Sequence, residues 1–314
     1  MAFNPKKQAY NASINAVTLG TGEKSIVVGG ENVFPFYTFD APIANSPKIA
    51  IEINDKGMAS LQTAGMKAAF EGCATVADMA KKAEEIEGVS AVCLHFESAD
   101  PNGENMPVED CVAMAKAVAD ATALPIIVMG CKNIEKDSEI FSKVSEALQG
   151  KNILVLAARE ENYKTVGASA GMAYNQKVGA ESAVDINLAK QLNVLIGQLG
   201  VPAQSVLMNL GSSCAGYGYE YLSSTLDRVK AAALAQNDAQ LQMPIVTPVS
   251  TETWNVKEAM LSEEEAPEWG DVEERGIEME ITTAAAVLAG GSDAVILRHP
   301  EAVKTIAAMI RALM

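Results

Sequence analysis

The sequence predicts an α/β fold, a TIM (β/α)8 barrel with an N-terminal β-hairpin extension, and three observations carry that expectation. Eight apolar runs, most of them rich in β-branched residues, recur along the chain and end in polar residues. The segments between them space their apolar residues along one helix face. Several of these segments open at an Asp or Ser able to cap first-turn amides, and several stop at Gly or just before the Pro that opens the next strand. Strict β-α alternation needs parallel strands with crossover helices, and eight such units close into a barrel.

In chain order, residues 1–47 form the extension, where "SINAVTLG" and "KSIVVGGENVFPFYTF" alternate apolar and polar positions around a "TGEK" turn. This hairpin is expected to plug the bottom of the barrel. Residues 48–314 form the barrel, the whole being one domain, since 314 residues lie at the upper end of what one core holds. The strands are "KIAIEIND", "AVCLHFESAD", "PIIVMGC", "NILVLAARE", "KVGAESAV", "SVLMNLGSS", "PIVTPVST" and "AVILRHPE". Helical spacing marks "VEDCVAMAKAVADAT", "DSEIFSKVSEAL", "DINLAKQLNVLIGQLG", "YLSSTLDRVKAAALA", "ITTAAAVLAGG" and "EAVKTIAAMIRALM". Residues 251–274, after the seventh strand, make a long acidic loop holding both tryptophans. Trp254 and Trp269 either anchor a partner or planar ligand there or tuck back onto the barrel.

Charge and cysteine usage exclude whole classes of function. With 24 basic against 40 acidic residues the formal net charge is −16, which repels nucleic acid and anionic lipid in the absence of a basic patch. "MAFNPKKQAY" has no apolar leader core and no stretch supplies a membrane span, so a soluble, cytoplasmic protein is expected. Cys73, Cys93, Cys111, Cys131 and Cys214 are widely separated with no C-x-x-C, which argues against a cluster or structural zinc of its own. They read as reduced thiols, with Cys93 and Cys111 as buried packing residues. Two histidines, His95 and His299, are too few for a histidine-rich metal site.

The stretch "MNLGSSCAGYGYEY" (208–221) leaves the sixth barrel strand and so lies on the ligand-binding mouth. Asn209, Ser212 and Ser213 offer polar groups, and Gly211, Gly216 and Gly218 let backbone approach a ligand. Cys214 has no companion ligands nearby, and neither a Walker A nor a dinucleotide fingerprint fits. Tyr217, Tyr219 and Tyr221 beside small residues suit a broad, flat, partly apolar ligand, although tyrosines packing on the following helix would give the same pattern.

Elsewhere on the mouth, His95 is either a satisfied core residue or a site residue, and it and Glu97 are expected on opposite sides of their strand. Arg159 and Arg298 close the fourth and eighth strands, where they hold a ligand's carboxamide or phosphate group or make salt bridges within the rim. No Ser-His-Asp order, glycosidase carboxylate pair or Schiff-base lysine emerges. The barrel reads as a holder.

The run "VVGGENVFPFYTFDAPIANSPKIAIEIND" (27–55) closely resembles the signature that opens the barrel of the corrinoid iron-sulfur protein small subunits, the delta-subunit family of the CO dehydrogenase/acetyl-CoA synthase system. Gly29, Gly30, Glu31, Asn32, Pro35, Phe36, Phe39, Pro42, Pro47, Ala50 and Glu52 carry the match, which continues through "HFESADPN", "NILVLAAREENY" and "NLGSSCAGYGYEY". The resemblance implies a TIM barrel in a heterodimer with a large subunit. That subunit would carry the [4Fe-4S] cluster and a cobamide, the corrinoid lying between it and this barrel's mouth. It also implies a methyl carrier between methyltetrahydrofolate, through a separate methyltransferase, and acetyl-CoA synthase/CO dehydrogenase, with this chain not catalytic alone. A stand-alone pterin-dependent TIM-barrel methyltransferase is the rival reading, with Asn54, Asp55, Glu97 and Asn209 as candidate pterin-gripping residues.

Overall fold

The computed structural model describes residues 6–314. The extension forms an antiparallel hairpin of Val17–Leu19 (β1) and Ile26–Val28 (β2), with Val17 opposite Val28 across a single 3-10 turn at Gly22–Lys24. It sits against the bottom of the barrel. The Gly20 amide donates to the Asn152 carbonyl at 2.9 Å, and the Asn152 side chain donates back to the Thr18 and Gly20 carbonyls.

All eight expected barrel strands form, and all run parallel: Lys48–Asn54 (β3), Ala91–His95 (β4), Ile126–Met129 (β5), Leu154–Ala158 (β6), Lys177–Glu181 (β7), Val206–Asn209 (β8), Val246–Pro248 (β9) and Ala294–Leu297 (β10). Neighbours follow chain order from β3 to β8, while β10 pairs with β3 and with β9. Between β8 and β9 closure rests on the bridge from Met208 to Ile245, where the Met208 amide donates to the Pro244 carbonyl.

Alternation along the strands sorts the core into two shells. Outward residues such as Ile49, Ile51, Ile53, Leu94, Val128, Met208 and Leu297 pack against the helices. Inward residues such as Ala50, Cys93, Ile127, Leu154, Leu156, Leu207, Val246 and Ile296 fill the barrel together with Val17, Leu19 and Val28 of the hairpin. The hairpin is therefore the lowest layer of the barrel's own filling, and each fully buried Leu or Ile there contributes about 1.5–3 kcal/mol.

The surrounding helices are Val76–Lys82 (α1), Val108–Ala121 (α2), Ile134–Ala147 (α3), Tyr163–Val166 (α4), Ile186–Gln198 (α5), Tyr219–Leu234 (α6), Val272–Gly290 (α7) and Pro300–Leu313 (α8). Side-chain caps start several of them: Asn133 accepts from the Lys136 amide, Asp185 from those of Asn187 and Leu188, and Asp271 from that of Glu274. The Asp271 cap corrects the sequence reading, because α7 begins nine residues before "ITTAAAVLAGG" and takes over the end of the acidic loop. Gly276 does not break this helix; it makes room for the Trp254 ring, which a Cβ there would overlap. Among the described residues no helix is long and apolar enough to cross a membrane.

Candidate functional site at the barrel mouth

The last inward layers at the C-terminal strand ends are polar, and their side chains pair with one another. Glu52 on β3 accepts from His95 Nδ1 and from the Arg298 guanidinium, both on Oε1 and both at 2.8 Å. Burial alone would raise the Glu52 carboxyl; Arg298 and His95 outweigh it and hold the group well below the usual carboxylate range. Its second oxygen, Oε2, is buried without a partner. A second cluster lies across the mouth. Arg159 donates to Glu181 from Nε at 3.0 Å and from Nη2 at 3.3 Å, and Asn209 Nδ2 reaches Glu181 at 3.2 Å.

The rim continues this pattern. Asn54 Nδ2 donates to Glu97 at 2.6 Å, Lys56 pairs with the same carboxylate at 2.9 Å, and Asp55 accepts from the backbone and hydroxyl of Ser98. Burial raises the Asp55 carboxyl while the Ser98 bonds oppose that. Asp137, buried below the loop after β5, is likewise raised by burial; it accepts from the Cys131 amide at 2.7 Å. The space left under the mouth loops is a cavity of about 50 Å³.

The loop after β8 is placed at the mouth, but its residues divide. Asn209 accepts from the Gly211 amide at 3.0 Å, Ser213 Oγ donates to the Tyr217 carbonyl, and Ser212 Oγ is buried with no partner. Cys214 is buried beneath the loop with its Sγ toward the Glu252 carbonyl, and burial pushes its thiol up to about 11. Gly216 and Gly218 have φ of +86° and +88°, so the turn itself requires glycine there. Tyr219 opens α6 and packs half-buried against the core, while Tyr217 and Tyr221 remain 43% and 69% exposed. Tyr217 OH donates to Glu258 Oε2 at 2.5 Å, which ties this loop to the one after β9.

Of the two tryptophans, one tucks back onto the barrel and the other lies half-buried in its loop. Trp254 is fully buried and stacks on His299 with ring centres 5.9 Å apart, while Trp269 stays at the surface under Lys257 and Arg275. His299 caps α8 by accepting the Glu301 amide on Nδ1, and its Nε2 meets Glu273. The expectation that His95 and Glu97 face opposite sides is wrong. Residues two apart on a strand share a face, and the chain in any case leaves the strand after His95, which brings both side chains to the mouth. Arg159 and Arg298 are occupied by rim salt bridges.

Sequence reasoning missed Glu52 and Glu181 as site residues. Each is a lone carboxylate at an inward position of an otherwise apolar strand, a signal that could have found them. It also missed Glu280 on α7, which accepts the Arg298 and His299 amides at 2.6 and 3.0 Å and which burial pushes up to about 7. The Trp254 indole N–H lies beside that carboxylate outside hydrogen-bonding geometry. Cys93 and Cys111 are fully buried. Among the described residues no three His, Cys, Asp or Glu side chains gather as a metal site.

The profile of the CO dehydrogenase/acetyl-CoA synthase delta subunit matches residues 16–310. The chain belongs to that family. It is 32% identical over 313 residues to the acetyl-CoA decarbonylase/synthase complex subunit delta of Archaeoglobus fulgidus, covering 96% of this chain and 68% of that one. It is 29% identical to subunit delta 1 of Methanosarcina thermophila, over 90% of this chain and 65% of the relative. This delta-family chain thus spans about two thirds of the length of the curated relatives it matches. Among solved structures it resembles 7,8-dihydropteroate synthase from Vibrio fischeri, with TM-score 0.58, 12% identity and coverage of 95% and 98%. Dihydropteroate synthase from Xanthomonas albilineans with 4-aminobenzoic acid gives TM-score 0.55 at 14% identity, with the same coverage. At such identities the likeness is one of fold, a TIM barrel.

Proposed function

We propose that this chain is the small subunit of a corrinoid iron-sulfur methyl carrier, and that its barrel mouth covers a cobamide held chiefly by a larger, cysteine-rich subunit. The single observation that carries the reading is the size and state of the mouth. Most of its polar side chains are paired with one another and leave about 50 Å³, whereas pockets that engulf a small ligand run roughly 300–1,000 Å³. Such a surface suits a broad ring lying on it. The residues fit that group: Tyr217 offers an exposed aromatic face, and the buried Ser212 hydroxyl lacks a partner that a corrin carboxamide would supply.

When bound, the cobamide supplies a cobalt that accepts a methyl group originating in methyltetrahydrofolate and gives it up toward acetyl-CoA synthase. The large subunit would also hold the [4Fe-4S] cluster. This chain's own residues would exclude water from one face of the ring and hold a fixed polar floor, since the Glu52 and Glu181 ion pairs need no rearrangement on closure. Membership of the delta family and the names of the relatives support placement in an acetyl-CoA decarbonylase/synthase assembly.

The pterin-methyltransferase rival shares the fold, but Asn54, Asp55, Glu97 and Asn209 are all engaged by protein partners. One experiment separates the two readings. The chain is titrated with methyltetrahydrofolate alone, then combined with the large subunit while Co(I) is followed by absorption. The carrier reading expects no pterin binding and slower Co(I) oxidation in the combined sample, an effect weakened by Tyr217→Ala. Stoichiometric pterin binding by the isolated chain, or an unchanged Co(I) lifetime, overturns it.

A further inference from the structure

Outside the mouth, the loop after β9 and the first half of α7 enclose a groove of about 740 Å³ that the mouth chemistry does not use. Its apolar surface is Trp269 and Met279, and its walls are Glu258, Glu274 and Glu278. On α7 the spacing 274, 278 puts two carboxylates one turn apart on the same face, with Met279 beside them. The groove's cation, Arg275, is held in place: its Nη1 and Nη2 each donate at 2.8 Å, to the carbonyls of Glu258 and Leu261, and its guanidinium stands 5.6 Å from the Trp269 ring centre. Lys257 stands over the same ring at 5.8 Å, so two cations flank the indole, while Glu258, Asp271, Glu274 and Glu278 leave the groove with an excess of acidic groups.

We infer that this groove docks a lysine- or arginine-bearing amphipathic helix of a partner protein. An elongated groove along a helix matches the helix-in-groove mode of recognition, in which apolar anchors seat on the floor and charges meet the walls. Here the floor is an indole and a thioether, the adaptable surfaces favoured at interfaces. The walls are carboxylates, so complementarity selects a cationic helix and rejects an acidic one. The groove adjoins the mouth, because Tyr217 joins Glu258 and Ala215 lines both the loop after β8 and the groove. A protein seated there would stand next to whatever covers the barrel.

The inference rests on the groove and adds a docking place to the carrier reading; its test involves no cobamide, so failure of one leaves the other standing. The probe is a 14-residue synthetic helix with leucines on one face and lysines on the other, against a control with glutamates for the lysines. Binding is measured by calorimetry and tryptophan emission on the full chain, on Glu274→Lys with Glu278→Lys, and on Trp269→Ala. Both sets of changes lie at the surface and spare the Asp271 cap. The expected result is one lysine helix per chain, weakened at least tenfold by either set of changes, and no binding of the glutamate helix. Binding that neither set weakens, binding of more than one helix per chain, or no binding at all overturns the proposal; the first two would mark simple attraction to a chain of net charge −16.

Discussion

The Tyr217 phenol donates to Glu258 across 2.5 Å, a bond that joins the loop that leaves β8 to the loop that leaves β9. The bonded carboxylate opposes loss of the phenol proton, so Tyr217 is pushed up to about 12. In Glu258→Gln the charge disappears. The expected outcome is that one tyrosine in an alkaline absorbance titration moves down toward the ordinary range, and that it is absent in Tyr217→Phe. A titration identical in wild type and Glu258→Gln would show that this bond between the two loops does not form in solution.

Glu280 gives a pH dependence of definite sign. Burial lifts its carboxyl from 4.5 to about 7, so the native state keeps a proton that the unfolded chain releases. Stability from this group is therefore full below about pH 4.5 and falls as pH rises toward 7, by on the order of 3 kcal/mol. Glu280→Gln cannot ionise. Denaturant unfolding at pH 5 and pH 8 should show the difference between variant and wild type shifting in the variant's favour by about that amount. Parallel pH profiles would contradict this assignment.

At the other end of the barrel, the fully buried Lys230 ammonium is shared by Glu31 at 2.6 Å and Asp293 at 2.9 Å, which ties the N-terminal extension to α6 and to the start of β10. Burial opposes every charge in this triad; the two carboxylates keep Lys230 protonated, and Asp293 is raised by burial and by Glu31. Removing the cation alone, as in Lys230→Met, leaves two uncompensated acids and should cost about 3–5 kcal/mol. Adding Glu31→Gln and Asp293→Asn should recover much of that loss. Equal stability of the single and triple variants, read from urea midpoints at constant slope, would argue against the triad.

Alternation of strands with helices made the barrel legible from sequence, because a parallel strand buried on both faces is largely apolar and its polar end marks the mouth. The same reasoning located the loop after β8 yet could not divide it. Whether Cys214 turns down and Tyr217 turns out depends on glycine turns and on Glu258, more than thirty residues away in sequence. Ion pairs such as Glu52 with Arg298, separated by 246 positions, exist only once the barrel closes. The start of α7 was hidden by Gly276, which reads as a helix weakener until its neighbour is known.

That neighbour gives a paired test. Glycine inside a helix ordinarily costs about 1 kcal/mol relative to alanine, so replacing it by alanine should stabilise wherever the added methyl meets nothing. Gly197, near the end of α5, is such a place, exposed and with open space around the added atom. At Gly276 the methyl would run into Trp254, which is fully buried and stacked on His299, itself fixed by Glu273 and the α8 cap. The ring has nowhere to retreat, and overpacking of this kind costs about 1–3 kcal/mol, more than the helix gains. Gly197→Ala should therefore raise the midpoint of urea unfolding and Gly276→Ala should lower it, the latter with a change in tryptophan emission as Trp254 shifts. If both alanines stabilise the protein, Trp254 does not pack over α7, and the path of the loop after β9 would have to be redrawn.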